Sequence, residues 1–169
     1  MNYFELFDLE PAFDIDSAAL QQRYRRLQQQ LHPDRFASGS ERDKLMAMQR
    51  TSQVNDGYHK LRSPLTRAEH LLEIRGVELA HEQRTLQDSS FLMKQMELRE
   101  QLEEITSAKD ILAMDTQLEQ EIEALESELR EQLNSGSDND NEAAADTVRK
   151  LKFMHKLRDE LERAEDTLV

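Results

Sequence analysis

The tripeptide His32-Pro33-Asp34 is the strongest chemical signal in the chain. Proline lacks the N–H a helix interior needs and pushes the residue before it out of the α region, so it ends a helix and opens a sharp exit. A short rigid loop of this kind holds an imidazole and a carboxylate outward, where another protein can read them. An ordinary helix-ending turn has the same composition, so the tripeptide gains meaning from its context. Arg25 and Arg26 precede it. A pair of arginines on a helix is by itself usually a solvated face.

A second constellation sits farther along. Phe91, Leu98, Leu102, Ile105 and Leu112 share one helical stripe, whereas Leu92, Met93 and Met96 centre roughly 160° away around the same helix. Both groups cannot face one interior. Glu97, Glu100 and Glu104 lie beside the second group. An apolar patch rimmed by carboxylates has the form of a binding surface, and methionine suits a surface that adapts to its partner. Packing beneath a neighbouring domain would hide the same residues equally well, and the spacing leaves both alternatives open.

Other candidate sites fail on chemistry. Asp138-Asn139-Asp140-Asn141 resembles the start of a calcium loop, yet position 6, which needs glycine, is Ala143, and position 12, which needs a bidentate glutamate, is Arg149. His59, His70, His81 and His155 show no zinc-binding spacing and read as surface or core histidines. The absence of cysteine removes disulfides, thiolate metal sites and thiol nucleophiles together, and fits a reducing compartment. There is no Walker-type phosphate loop. Paired glutamates such as Glu103-Glu104 stand in a charge-rich helix, with no apolar pocket apparent to raise a carboxylate pKa. We therefore expect no catalytic residue, no metal and no cofactor in this chain.

The elements that must position these residues are helical. Glycine (4) and proline (3) are scarce among 169 residues and 34% of residues are charged, which favours amphipathic helices and an all-α fold. A short apolar helix is expected from Tyr3 to Leu9, closed by Glu10-Pro11. Asp16 caps a helix to about Leu31, with Leu20, Tyr24, Leu27 and Leu31 on its core face and Gln22, Arg25, Arg26 and Gln29 opposite. His32 to Ser40 is a loop. A long helix over Glu41 to Arg62 returns with Ala47, Thr51, Val54, Tyr58 and Leu61 on one stripe. Ser63-Pro64 starts a further helix that Gly76 ends, and there the first domain closes. Residues 77–88 form a polar connection. Three periodic segments, 89–112, 115–133 and 143–167, predict an antiparallel three-helix bundle, with a loop over 134–141. In the last segment Leu151, Leu157, Leu161 and Leu168 form the core stripe.

Charge divides the chain at the same place. Residues 1–76 carry 11 Lys/Arg and 11 Asp/Glu, whereas residues 77–169 carry 11 and 24. The whole net charge of −13 thus lies in the second half. Such a half repels phosphate backbones, disfavours nucleic acid and close self-association, and suits a partner with a basic patch. A monomer is expected. No apolar run approaches the roughly 18 residues of a membrane span and the N-terminus lacks a basic leader, so no membrane partner and a cytoplasmic location are expected.

Taken together, the basic helix face, His32-Pro33-Asp34-Arg35-Phe36 and the long returning helix resemble a J-domain. Tyr3-Phe4-Glu5-Leu6-Phe7, Phe36-Ala37-Ser38-Gly39-Ser40, the stretch from Leu61 to Glu69, Phe91-Leu92-Met93 and the stretch from Ala143 to Leu151 extend the resemblance, over essentially the whole chain, to the HscB family of bacterial iron–sulfur co-chaperones. The resemblance implies an L-shaped pair of domains, a J-domain over 1–76 and a client-binding bundle over 89–169. It implies a chaperone-binding set of His32, Pro33, Asp34, Arg25 and Arg26, which meets a DnaK-type ATPase of the HscA type and stimulates its ATP hydrolysis. It also implies a scaffold-binding set of Leu92, Met93, Met96, Glu97, Glu100, Glu104 and Phe153, which receives an IscU-type iron–sulfur scaffold protein. Met96 stands where leucine is common in the family, a volume-conserving change. Three other readings differ in what they predict: a co-chaperone with another client, a helical adaptor in which the loop is incidental, and an enzyme.

Overall fold

The computed structural model describes residues 1–79 and 88–168. Most of the expected 77–88 connection, His81 included, lies outside them. Among the described residues there are seven α-helices and no strand: α1 (Tyr3–Leu6), α2 (Ser17–Gln30), α3 (Glu41–Arg62), α4 (Pro64–Ile74), α5 (Ser89–Glu103), α6 (Ala108–Ser135) and α7 (Asp138–Thr167), with a 3-10 turn at Pro33–Arg35. They form two compact units, Met1–Arg75 and Gly76–Val169. No helix among the described residues is long and apolar enough to cross a membrane.

In the first unit α1 is a single turn, shorter than the expected Tyr3–Leu9 helix. The Asn2 side chain accepts the N–H groups of Phe4 and Glu5 at its start. Asp8 then enters the left-handed region at φ 51°, which stops the helix. Arg23 of α2 donates to the carbonyls of Phe7 and Asp8, satisfying groups that further helix would have used. So short a helix is unstable alone. It is held because Phe4 and Phe7 are fully buried, each worth about 1.5–3 kcal/mol of apolar burial.

α2 and α3 form a hairpin whose facing residues include Leu20, Val54 and Leu61, all buried. Asp16 caps α2 by accepting the Ala19 N–H at 3.1 Å. Ser40 caps α3 in the same way through Asp43 N–H. Near the middle of the hairpin the Tyr24 hydroxyl donates to Asn55 Oδ1 at 2.6 Å, and the Tyr24 and Tyr58 rings lie 3.9 Å apart. α4 covers the base. Pro64 takes the first helical position and Gly76, at φ 81°, follows the Arg75 C-cap. Buried Arg67 binds the carbonyls of Phe13 and Leu61, fixing the 7–16 connection to α4.

In the second unit three helices pack around Phe91, Leu98, Ile111, Met114, Leu118, Leu129, Leu151, Met154 and Leu157. The boundaries differ from the expectation in two places. The first break falls at 104–107 and not at 113–114, because Ser107 caps α6 through the Asp110 N–H while Asp110 accepts from Thr106 N–H. Leu112 consequently belongs to α6 and is exposed, outside the stripe assigned to it. The second break is only Gly136-Ser137. Gly136 takes φ 68° and Ser137 caps α7, so Asp138-Asn139-Asp140-Asn141 is helix and not loop. Leu168, assigned to the last core stripe, is exposed at the end of α7.

Candidate functional site

At the tip of the first unit, Leu31 ends α2 and His32 takes φ −58°, ψ 137°, the extended conformation expected before proline. Pro33, Asp34 and Arg35 make the 3-10 turn. Arg35 N–H donates to His32 carbonyl and Phe36 N–H to Pro33 carbonyl, both at 3.0 Å. The His32 Nδ1 accepts the Asp34 N–H at 3.2 Å and lies 3.5 Å from Asp34 Oδ2. These bonds fix the backbone and leave the Asp34 carboxylate outward, with its side chain 92% exposed. The loop is therefore a rigid mount for one carboxylate, with a second group, the His32 ring, exposed beside it.

Arg25 and Arg26 are exposed on the outer side of α2, and with Ala18, Gln21, Gln22 and Gln29 they line a shallow depression of about 290 Å³. Arg26 precedes His32 by six residues, roughly 9 Å along a helix axis. The basic strip and the loop thus lead into one another on the same hairpin. Sequence reasoning missed a larger feature beside them. An apolar cleft of about 880 Å³ opens between α2 and α3, lined in part by Leu31, Pro33, Phe36, Ala47 and Met48. Its one sequence signal was Met48, which falls off the core stripe of α3 and is exposed.

The second set of residues gathers on the second unit. Leu92, Met93 and Met96 are 38%, 63% and 72% exposed, and Glu97, Glu100 and Glu104 stand exposed beside them. Asp88 holds the start of α5. It accepts the Phe91 N–H and the Lys150 ammonium, the latter at 2.9 Å, so the N-terminus of α5 is tied to α7. Lys150 and then the Phe91 N–H hold the Asp88 carboxyl below the usual carboxylate range.

Phe153 reaches this helix from α7. It is half-buried, meeting Phe91 edge-on with centroids 5.8 Å apart. The structure therefore brings Phe153 to the flank of α5, while its contact with Phe91 also makes it a peripheral part of the core. Ion pairs that periodicity could not assign fasten α5 to its neighbours: Lys94 to Glu121 of α6 at 2.9 Å, and Arg99 to Glu160 of α7.

One titratable group is placed where spacing alone could not put it. His70 is 3% exposed, its Nε2 accepts the Tyr3 N–H at 3.0 Å, and its ring stacks on Phe4. It is a core acceptor that ties α1 to α4. Burial pushes its pKa below the ordinary value, with the Glu73 carboxylate opposing.

Comparison with known proteins places this arrangement. A family model described as the HSCB C-terminal oligomerisation domain matches residues 87–162. A co-chaperone protein HscB homolog of Pseudoalteromonas atlantica is 56% identical over 172 residues, covering 99% of this chain and 98% of that protein. Among solved structures, the chaperone HscB from Vibrio cholerae superposes with a TM-score of 0.87 at 46% identity, covering all of both chains. Human co-chaperone protein HscB gives 0.91 at 27% identity, covering 98% of this chain and 82% of that one. The hairpin with its tip loop, the three-helix unit and these full-length likenesses together show that the chain belongs to the HscB family of co-chaperones.

Proposed function

We propose that this protein is a cytoplasmic co-chaperone of iron–sulfur cluster assembly, which binds an IscU-type scaffold protein and delivers it to a DnaK-type chaperone of the HscA type. The observation that carries the reading is the presence on one chain of two differently built exposed surfaces: a rigid carboxylate-bearing loop beside a basic helix face, and a methionine-rich apolar patch with an acidic rim. The first suits an acidic surface on a chaperone. The second suits an apolar surface flanked by basic residues on a client.

In this reading the chain performs no chemistry of its own. ATP is bound and hydrolysed by the chaperone, and the iron–sulfur cluster is cargo on the client. Asp34 supplies the essential carboxylate, His32 and Pro33 shape the loop, and Arg25 and Arg26 align the hairpin on the chaperone. Leu92, Met93, Met96 and Phe153 bury apolar area against the scaffold while Glu97, Glu100 and Glu104 set its orientation. Holding the client beside the chaperone raises its local concentration, and hydrolysis then closes the chaperone on it. The acidic second half, which carries the whole net charge of −13, favours action as a monomer.

A calorimetric titration with a bacterial iron–sulfur scaffold protein tests the client. Wild type should bind saturably. A Leu92→Ala/Met96→Ala/Phe153→Ala variant with unchanged helicity should lose that binding while still stimulating the chaperone alone. Absence of wild-type binding, with stimulation intact, would leave a co-chaperone for a different client.

A further inference from the structure

Phe153 is the one member of the proposed scaffold-binding set that comes from α7, and its ring is held from two directions. Phe91 meets it at an interplanar angle of 83°. The Arg99 guanidinium lies over the ring, 5.5 Å from its centroid. The same guanidinium donates from Nη1 to Glu160 Oε2. Phe153 and Glu160 are seven residues apart and so lie on one side of α7, where the arginine can reach both.

On α5, Arg99 follows Leu92 by seven residues and Met96 by three. By helical geometry it falls about 20° from Leu92, on the side that turns toward the core. Arg99 therefore stands where the exposed apolar stripe of α5 meets α7. Its charge has the wrong sign to attract a basic client and opposes the rim of Glu97, Glu100 and Glu104. Attraction of the client is thus a poor reason for an arginine here, whereas a planar cation that can stack on a ring and bind a carboxylate at once is a good one.

We propose that Arg99 is a positioning residue for client docking: clamped by Glu160, it holds the Phe153 ring against the Leu92/Met96 stripe, so that two helices present one continuous apolar surface. This rests on the scaffold-binding reading given above. The acidic rim then faces the client without neutralisation, because the Arg99 charge is engaged by Glu160 on the α7 side.

The test is a double-mutant cycle on the full-length protein, titrated calorimetrically with the scaffold. Arg99→Lys keeps the charge and removes the planar group. It should weaken binding about tenfold in the wild-type background and less than about twofold in a Phe153→Leu background. Glu160→Gln should weaken binding in the same direction by a smaller factor. For Arg99→Lys, which keeps a cation opposite Glu160, thermal unfolding and stimulation of the chaperone without scaffold should be unchanged. In a phenylalanine-labelled sample without scaffold, Arg99→Lys should shift the Phe153 ring resonances. Equal losses in both backgrounds, tighter binding by Arg99→Lys, or unmoved Phe153 resonances would overturn the assignment while leaving the client reading in place. Failure of the wild-type protein to bind the scaffold would remove both.

Discussion

The loop at the tip of the α2/α3 hairpin and the patch on α5 both present polar and apolar groups to solvent, but they are constructed in opposite ways. The loop is contiguous. Five residues, one of them a proline, and three backbone-mediated hydrogen bonds suffice to aim the Asp34 carboxylate outward. The surface proposed for the client is composite: Leu92, Met93 and Met96 come from α5 and Phe153 from α7, two helices tied by the Lys150–Asp88 and Arg99–Glu160 pairs. A contiguous surface is robust to changes elsewhere, whereas a composite one is only as well defined as the helix packing beneath it.

If the two surfaces serve separate partners, substitutions should separate them cleanly. The largest effect is expected for Asp34→Asn. Loss of one exposed charged contact at the centre of a docking loop should reduce chaperone stimulation roughly thirtyfold or more, equivalent to about 2 kcal/mol, and leave scaffold affinity unchanged. A steady-state ATPase assay with and without scaffold measures both arms. Unchanged stimulation would favour the helical-adaptor reading, in which the loop is incidental.

The next effect sharpens the contrast in stability. A Cβ at Gly57 would lie 2.8 Å from Tyr3 Cδ1 and 3.1 Å from Phe7 Cε2. Gly57→Ala should therefore destabilise the first unit by about 1–3 kcal/mol through overpacking of α1. Hydrogen exchange resolved by residue should show the loss in Met1–Arg75 and not in α6 or α7. A loss spread over both units would mean that they do not unfold separately.

A smaller, pH-dependent difference follows from His70. Its folded pKa is lowered by burial, so the folded state binds fewer protons than the unfolded chain. The stability it contributes is present in full above about pH 6.5, the ordinary imidazole value, and is lost as the pH falls from there through the lowered value. Protonation at Nε2 also removes the acceptor for Tyr3 N–H. Denaturant midpoints of the first unit should fall between pH 7 and 5, and His70→Gln, which retains an acceptor, should flatten that dependence. The smallest effect is expected for Ser107→Ala, about 1 kcal/mol from loss of the α6 cap, detectable as a lower unfolding midpoint of the second unit.

Local rules located much of this structure. The starts of α2 and α4 follow from an aspartate that caps its own helix and from a proline whose missing N–H is not needed in the first turn. The break at 104–107 was harder to see because Leu102 and Ile105 continue the apolar rhythm of Phe91 and Leu98. Only the short-range Ser107–Asp110 cap interrupts it, and that signal is weaker than a proline or glycine. The 134–141 segment misled for the opposite reason. Its composition is that of a loop, yet Gly136 and Ser137 complete the turn and cap, leaving the aspartates and asparagines to satisfy the first turn of α7.

At the candidate site the same division holds. The loop could be located from its own residues because proline acts on its immediate neighbours. That Leu92, Met93 and Met96 lie opposite the core stripe was legible from a 100° rotation per residue. That Phe153 of α7 meets Phe91 and Arg99 of α5 was not, since periodicity gives the direction of a side chain around its own helix and says nothing of which turn of another helix lies opposite.

The amino-acid sequence alone thus determined the helical class, most helix starts, the exposed carboxylate loop and the charge division, all of which depend on interactions between residues a few positions apart. The tertiary structure decided the role of His70 as a core acceptor, the single-turn length of α1, the cleft beside the loop and the meeting of Phe153 with Phe91 and Arg99 of α5. Each of these depends on groups distant in the chain whose meeting is set by packing.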